Sequence, residues 1–385
     1  MPSRLACLRP HRQGWLVALS IAGAALAEPI LPRSNDEVVE RLPPVVRSAA
    51  LPGAIDPDTA VAEARQWLDI ARRDGDPRPA GRALARLAPW QNDARAPAEL
   101  VVMLATLEQY LHRFDAAVRR LQALVAREAS AGRSGSPSVA QAWLLLASLH
   151  RLQGRLAESD QACAQLQRQR VQPYADGCFA ENQALRGEFD AARATFSGLL
   201  ARSAQPGMRS WLLTSLAELA QREGDHAAAD AAFRQALQAE RSGYTAVGYA
   251  DFLLDQQRPA EAWDALAGQP RSDGVLLRLA IAARRMQRPD AAALRDELHA
   301  RYAQADLRPE SSGHDRERAL MALDIDGKPT LALAAARRNV ALQVEPVDLW
   351  LLARSARAAG DRGALDQARE RARRIGLVDR RIDAL

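Results

Sequence analysis

Lysine is almost missing from this chain. Lys328 is the only one, and nearly all of the basic charge is arginine. The arginines are interleaved with aspartate and glutamate instead of gathered into a patch. That is the pattern of solvated helix faces, not of a phosphate-binding surface, and no nucleic-acid partner is expected. Histidine is sparse as well. None of His11, His112, His150, His226, His299 and His314 stands four residues from another, so the helical zinc pair is absent. The chain has no Gly-x-Ser-x-Gly elbow, no glycine loop that would cradle a phosphate and no dinucleotide fingerprint. The stretch Gly132-Arg133-Ser134-Gly135 is too short to serve as one. These absences argue against an enzyme and leave no cofactor or metal to assign.

The N-terminal apolar run, Trp15–Leu26, is 12 residues long, against roughly 20 for a membrane-spanning helix. It follows Arg4, Arg9 and Arg12 and ends at the small-residue sequence Ala25-Leu26-Ala27. The expectation is a secretory signal over 1–27, cleaved after Ala27, with a periplasmic or secreted mature chain and no transmembrane span. Leu5-Ala6-Cys7 precedes the apolar run, so it is not a lipidation box. The full chain carries 52 basic against 47 acidic side chains; without the three arginines of the signal the balance falls from +5 to +2. Residues 28–57 hold six prolines and read as an extended lead-in, with one helical turn around Glu37–Arg41. Cys7 leaves with the signal, and Cys163 and Cys178 remain.

What the sequence does hold is a hairpin signal repeated nine times. A turn residue is followed by a charged residue, with alanine a few places on. The turn residues are Gly75, His112, Gly154, Gly187, Gly224, Gln257, Gln287, Gly327 and Gly360, separated by 37, 42, 33, 37, 33, 30, 40 and 33 residues. A period near ~34 residues marks stacked helix-turn-helix units. Flexible loops at Ser130–Ser138 and Gln304–Gly313 account for the two longest steps. Seven residues before the turn stand Ala105, Ala147, Ala180, Ala217, Ala250, Ala280 and Ala353; five after it stand Ala80, Ala117, Ala192, Ala229, Ala262, Ala292 and Ala332. Alanine at one fixed place on each helix lets the two axes approach closely. Large apolar residues flank these sites, so each helix has one apolar stripe and must lean on the next unit. The unit at Gly224 is the fullest, with helices expected over Trp211–Glu223 and Ala227–Ala239.

In that unit Leu216-Ala217, Gly224-Asp225, Ala229, Phe233 and Ala236-Leu237 resemble the tetratricopeptide (TPR) signature, spacing included. The likeness is strong at His112, Gly154, Gly187 and Gly224, and weakest at Gly75 and Gly327. The whole chain also resembles a group of uncharacterised exported TPR proteins of Gram-negative bacteria, through Asp36–Pro43, Tyr249–Asp255 and His314–Glu317. The fold expectation is all-α: an α-solenoid of about nine TPR-like hairpins over 58–385, with a right-handed superhelical course. The resemblance implies a periplasmic setting and no known activity.

Cys163 and Cys178 fall on consecutive antiparallel helices at similar heights, on either side of the break at Gln172-Pro173. A structural disulfide is expected, with two small buried thiols as the alternative. His314-Asp315-Arg316-Glu317 reads as a helix start capped by Ser312 and not as a ligand set. In TPR proteins the concave face is lined by the first helices, at thirteen, ten, six, three and two residues before the turn. Those positions here supply Tyr174, Trp211, Tyr244 and Trp350, with Arg151, Glu181, Glu218, Arg222, Asp251, Asp255, Arg284, Arg285, Arg354 and Arg357. Tyrosine and tryptophan anchor ligands well, although each of these aromatics could instead serve repeat packing. The asparagines of the carboxylate-gripping TPR clamp are lacking. The function expected is a non-enzymatic adaptor of the cell envelope that holds a protein or peptide partner in its concave groove. The alternatives are a metal-handling or catalytic groove and a purely structural spacer.

Overall fold

The structure is a computed structural model that describes residues 56–307 and 314–385, all within one compact unit, Ile55–Leu385. The expected signal peptide, the Glu37–Arg41 turn and nearly all of the proline-rich lead-in lie outside the described residues, as does Ser312. Among the described residues every regular element is helical. The hairpins pair α1 (Pro57–Asp74) with α2 (Arg78–Leu87), α3 (Ala98–Tyr110) with α4 (Phe114–Ser130), and α5 (Pro137–Leu152) with α6 (Leu156–Arg168). Next come α7 (Tyr174–Leu185) with α8 (Phe189–Arg202), α9 (Pro206–Glu223) with α10 (His226–Ala239), and α11 (Gly243–Asp255) with α12 (Pro259–Ala265). The last three are α13 (Asp273–Arg285) with α14 (Ala291–Asp306), α15 (Asp315–Asp324) with α16 (Pro329–Leu342), and α17 (Pro346–Ala358) with α18 (Arg362–Ile375). A short helix, α19 (Arg380–Asp383), follows. The nine turns are the nine read from the sequence.

All nine turn residues have positive φ, including the non-glycine His112, Gln257 and Gln287 at 57°, 58° and 56°. In seven of the nine, the amide after the turn residue bonds back five residues to a first-helix carbonyl. Examples are Asp225 N–H to Ala220 O at 2.9 Å and Arg155 N–H to His150 O at 2.8 Å. This Schellman closure satisfies the carbonyls left over at the end of the first helix. Asp56, Asp225 and Asp361 cap three helix starts by accepting the amides of Thr59, Ala228 and Ala364. Proline stands at the first position of α1, α5, α9, α12, α16 and α17, where no amide is needed.

Each first helix packs on its own second helix and on the first helix of the next hairpin. The alanines at the close positions are at most 1 % exposed, with one exception. Ala292 was expected inward and is exposed. Helix α14 starts at Ala291, two residues later in its hairpin than α12 does at Pro259. Arg288 and Asp290 pair across the gap at 2.9 Å. The late start rotates the helix, and Leu294, Leu298 and Tyr302 form its buried face. Other boundaries move slightly. Helix α9 begins five residues before Trp211, α1 takes in Pro57, and the two expected loops each lose residues to the preceding helix. Helix α15 starts with His314 at the N-cap position, without a side-chain cap.

Cys163 on α6 and Cys178 on α7 are bonded, with Cα atoms 5.7 Å apart and both side chains buried. The bond pins hairpin three to hairpin four.

The array also winds back on itself. Val344 donates its amide to Leu152 O and Val378 donates to Leu185 O, each at 2.8 Å. Both acceptors lie at the ends of first helices nearly half the chain away. The turn glycines beside them make room. A Cβ on Gly154 would stand 2.7 Å from a methyl of Val344 and 2.9 Å from one of Ile375; on Gly187 it would meet Val378 at 2.9 Å. Likewise the Gly75 turn fits against Ser272 at the start of α13. Helix α19 packs between α9 and α17.

Two measurements test this packing. Gly360 has φ 70° with nothing near its missing Cβ, whereas Gly154 has φ 71° with the aliphatic contacts just described. Gly360→Ala is expected to cost about 1 kcal/mol for the left-handed backbone alone, and Gly154→Ala at least about 1–3 kcal/mol more from overpacking. Equal losses in denaturant unfolding would mean that the two ends do not meet. Separately, converting Cys163 and Cys178 to alanine should lower unfolding free energy by roughly 3 kcal/mol, the cost of releasing a short closed loop.

Candidate functional site

Because the array winds back, the concave side of the first helices becomes a cavity of about 870 Å³ instead of an open trough. Its wall comes from the first helices α1, α9, α11, α13, α15 and α17, with α19 and the loop before α13. A smaller cavity of about 270 Å³ adjoins it along α3, α5 and α7. Glu218, Arg222, Tyr244, Glu345 and Pro346 belong to both walls.

The residues named from the repeat register divide into three groups. Glu218, Arg222, Tyr244, Asp251, Asp255 and Trp350 line the larger cavity. Arg151 and Glu181 line the smaller one, as an ion pair. The others lie elsewhere. Tyr174 stacks on Trp211 with ring centroids 6.3 Å apart. The Trp211 ring fills the space left by Gly177, and its Nε1 donates to Glu181 at 3.0 Å. Arg284 donates to the Asp324 carbonyl, while Arg285 and Arg354 reach the Asp324 carboxylate at 3.1 and 2.8 Å. Together these three arginines tie hairpins seven and nine to hairpin eight. Arg357 is exposed.

Within the larger cavity the charges are mostly matched. Arg278 on α13 grips Asp251 of α11 with two bonds, at 2.8 and 2.7 Å. Arg316 on α15 holds Asp348 of α17 at 2.6 and 2.9 Å. Arg381 of α19 grips Asp379 at 2.9 and 2.6 Å. Trp350 donates to Asp255 at 3.1 Å across the cavity, and its ring faces the Arg381 guanidinium at 5.5 Å. Arg278, Arg316 and Arg381 are not marked by the repeat register. The first two sit off the expected groove positions, and α19 lies beyond the last repeat.

Tyr244 is different. It is 67 % exposed, and that exposure faces the cavity it lines. Its hydroxyl donates to Glu218 at 2.8 Å. The Glu218 carboxylate raises the Tyr244 hydroxyl well above its ordinary value. Burial raises the Glu218 carboxyl as well, and it outweighs the attraction of Arg222 and the Tyr244 hydrogen bond. Burial also lowers the Arg222 guanidinium. Among the described residues no three His, Cys, Asp or Glu side chains stand together as a metal site, and no helix is long and apolar enough to cross a membrane.

A carboxyl raised on folding favours the folded state when protonated. That contribution is complete below the ordinary value of 4.5 and is lost as pH rises through the higher folded value. Glu218→Gln should therefore be more stable than the parent chain at neutral pH, with the difference shrinking as pH falls towards 4.5. Unfolding midpoints measured across that range check the sign; a gap that widens on acidification would refute it.

No family model matches the sequence, and no curated protein matches it. Among solved structures the chain is similar to a tetratricopeptide repeat protein from Parabacteroides merdae ATCC 43184, at 12 % identity and a TM-score of 0.39, with 78 % of this chain and 98 % of that one covered.

Proposed function

We propose that the chain is a non-enzymatic scaffold of the bacterial cell envelope that holds a segment of a protein partner in its central cavity. The observation that carries the reading is the Tyr244 ring, presented to open space inside a wall built by six first helices. An aromatic anchor on a rigid helix loses little entropy on binding and buries a large area. The surrounding ion pairs fix the backbone that presents it. The wound-back array admits a short segment or a single side-chain cluster, not a long extended peptide running along an open trough. Trp211 is spent on Tyr174, Gly177 and Glu181, and Tyr174 lies outside the larger cavity, so of the four register aromatics Tyr244 and Trp350 are the ones that line it. An exported, oxidising location is supported by the bonded Cys163–Cys178 pair and by the signal-like N-terminus.

A photo-crosslinking residue placed at 244 in the native cell should capture a defined partner segment, whereas one at Leu331, exposed on α16 away from the cavity, should not. Tyr244→Ala should weaken the captured complex about tenfold or more. Absence of an adduct at 244, or the same adducts from both sites, would remove the basis of the reading.

A further inference from the structure

Arg222 lies in the last turn of α9, two residues before the turn residue Gly224, and it stands in the wall shared by the two cavities. It is only 6 % exposed. Its Nε is enclosed without a hydrogen-bond partner, and the side chain forms no hydrogen bond or ion pair with any described residue. Around the same space Arg278, which is buried, and Arg316 and Arg381, which are half-buried, each hold a carboxylate. The two carboxylates whose charge Arg222 feels most are Glu218 and Asp379, and both are committed elsewhere. Glu218 accepts the Tyr244 hydroxyl. Asp379 takes both arms of Arg381 and also its amide, at 3.1 Å. A buried guanidinium without an acceptor is unfavourable, and a native group left in that state calls for a partner from outside the chain. Half-buried Val247 and Val347 line the same cavity as the Tyr244 ring and supply apolar surface there.

We propose that this cavity binds an oxyanion carried on an apolar body, with the oxyanion seated on the Arg222 guanidinium and the body laid against Tyr244 and the valines. Carboxylate and phosphate both offer two oxygens to the planar donor fork of arginine. The cavity volume falls within the range of about 300–1,000 Å³ typical of small-ligand sites. A free small molecule and an acidic side chain of a bound segment bring the same chemistry. The inference therefore goes beyond the scaffold reading and survives its failure.

The test uses the full chain with phenylacetate and phenyl phosphate, and with benzyl alcohol as the uncharged control. A blocked peptide pairing glutamate with phenylalanine, and its glutamine counterpart, form the second arm. Calorimetry should show both small anions binding about tenfold or more tightly than benzyl alcohol. Each should raise the unfolding midpoint in a concentration-dependent way. Arg222→Met should lose that affinity by about tenfold or more while its ligand-free midpoint stays level or rises, because a buried cation without an acceptor has been removed. Arg222→Lys should fall between, since it keeps the charge but not the fork. If the glutamate peptide binds and its glutamine form does not, the ligand can come from a protein; if only the small anions bind, it is a free molecule. The proposal is overturned if neither anion binds the parent chain by about 10 mM, if Arg222→Met binds them equally well, or if Arg222→Met lowers the ligand-free midpoint. Should Arg222→Lys not fold, Arg222→Met and the anion-against-alcohol comparison on the parent chain decide.

Discussion

The whole architecture depends on two helices being able to touch at one point in each hairpin. Buried alanine sets that distance, on both arms of the hairpins at His112, Gly187, Gly224 and Gln257 and on one arm of the others, and a left-handed turn residue sets the direction in which the second arm returns. With a larger side chain at either place the arms would splay, and the apolar stripe of one hairpin would no longer meet the next. Repetition of this small contact places nine first helices side by side. Their inner ends then converge on one space.

Much of this was legible because the determinants are local. The turn positions follow from residues that tolerate positive φ and from the charged residue after them, so all nine could be read without reference to distant parts of the chain. The failures were local too. Ala292 matched the register by number, but α14 starts two residues later in its hairpin than α12 does, and that alanine faces outward. Counting residues from a turn assumes that every second helix starts at the same offset, and here one does not.

The site was legible only in part, for a different physical reason. Register places Glu218, Arg222, Tyr244 and Trp350 on the inner face, which is where they stand. It carries no information on which inner faces come together across the coil. That Trp350 reaches Asp255, or that Arg381 enters the cavity at all, depends on how far each hairpin rotates against its neighbour, summed over the array. Small rotations accumulate into contacts between residues that no periodic pattern relates. Arg151, Arg284 and Arg354 were read into the groove from the register, yet their charges are used up in joining hairpins. The distinction between a joining arginine and an uncommitted one, such as Arg222, is visible only in three dimensions.

The seating of Val344 and Val378 on the carbonyls of Leu152 and Leu185 has a mechanical consequence. An open stack of repeats can fray one unit at a time from either tip, because each unit is held only by its neighbour. Here the final hairpin is anchored to the third and fourth. Peeling it away sacrifices long-range as well as nearest-neighbour contacts, so the array gives way as a single all-or-none body in the manner of a closed ring.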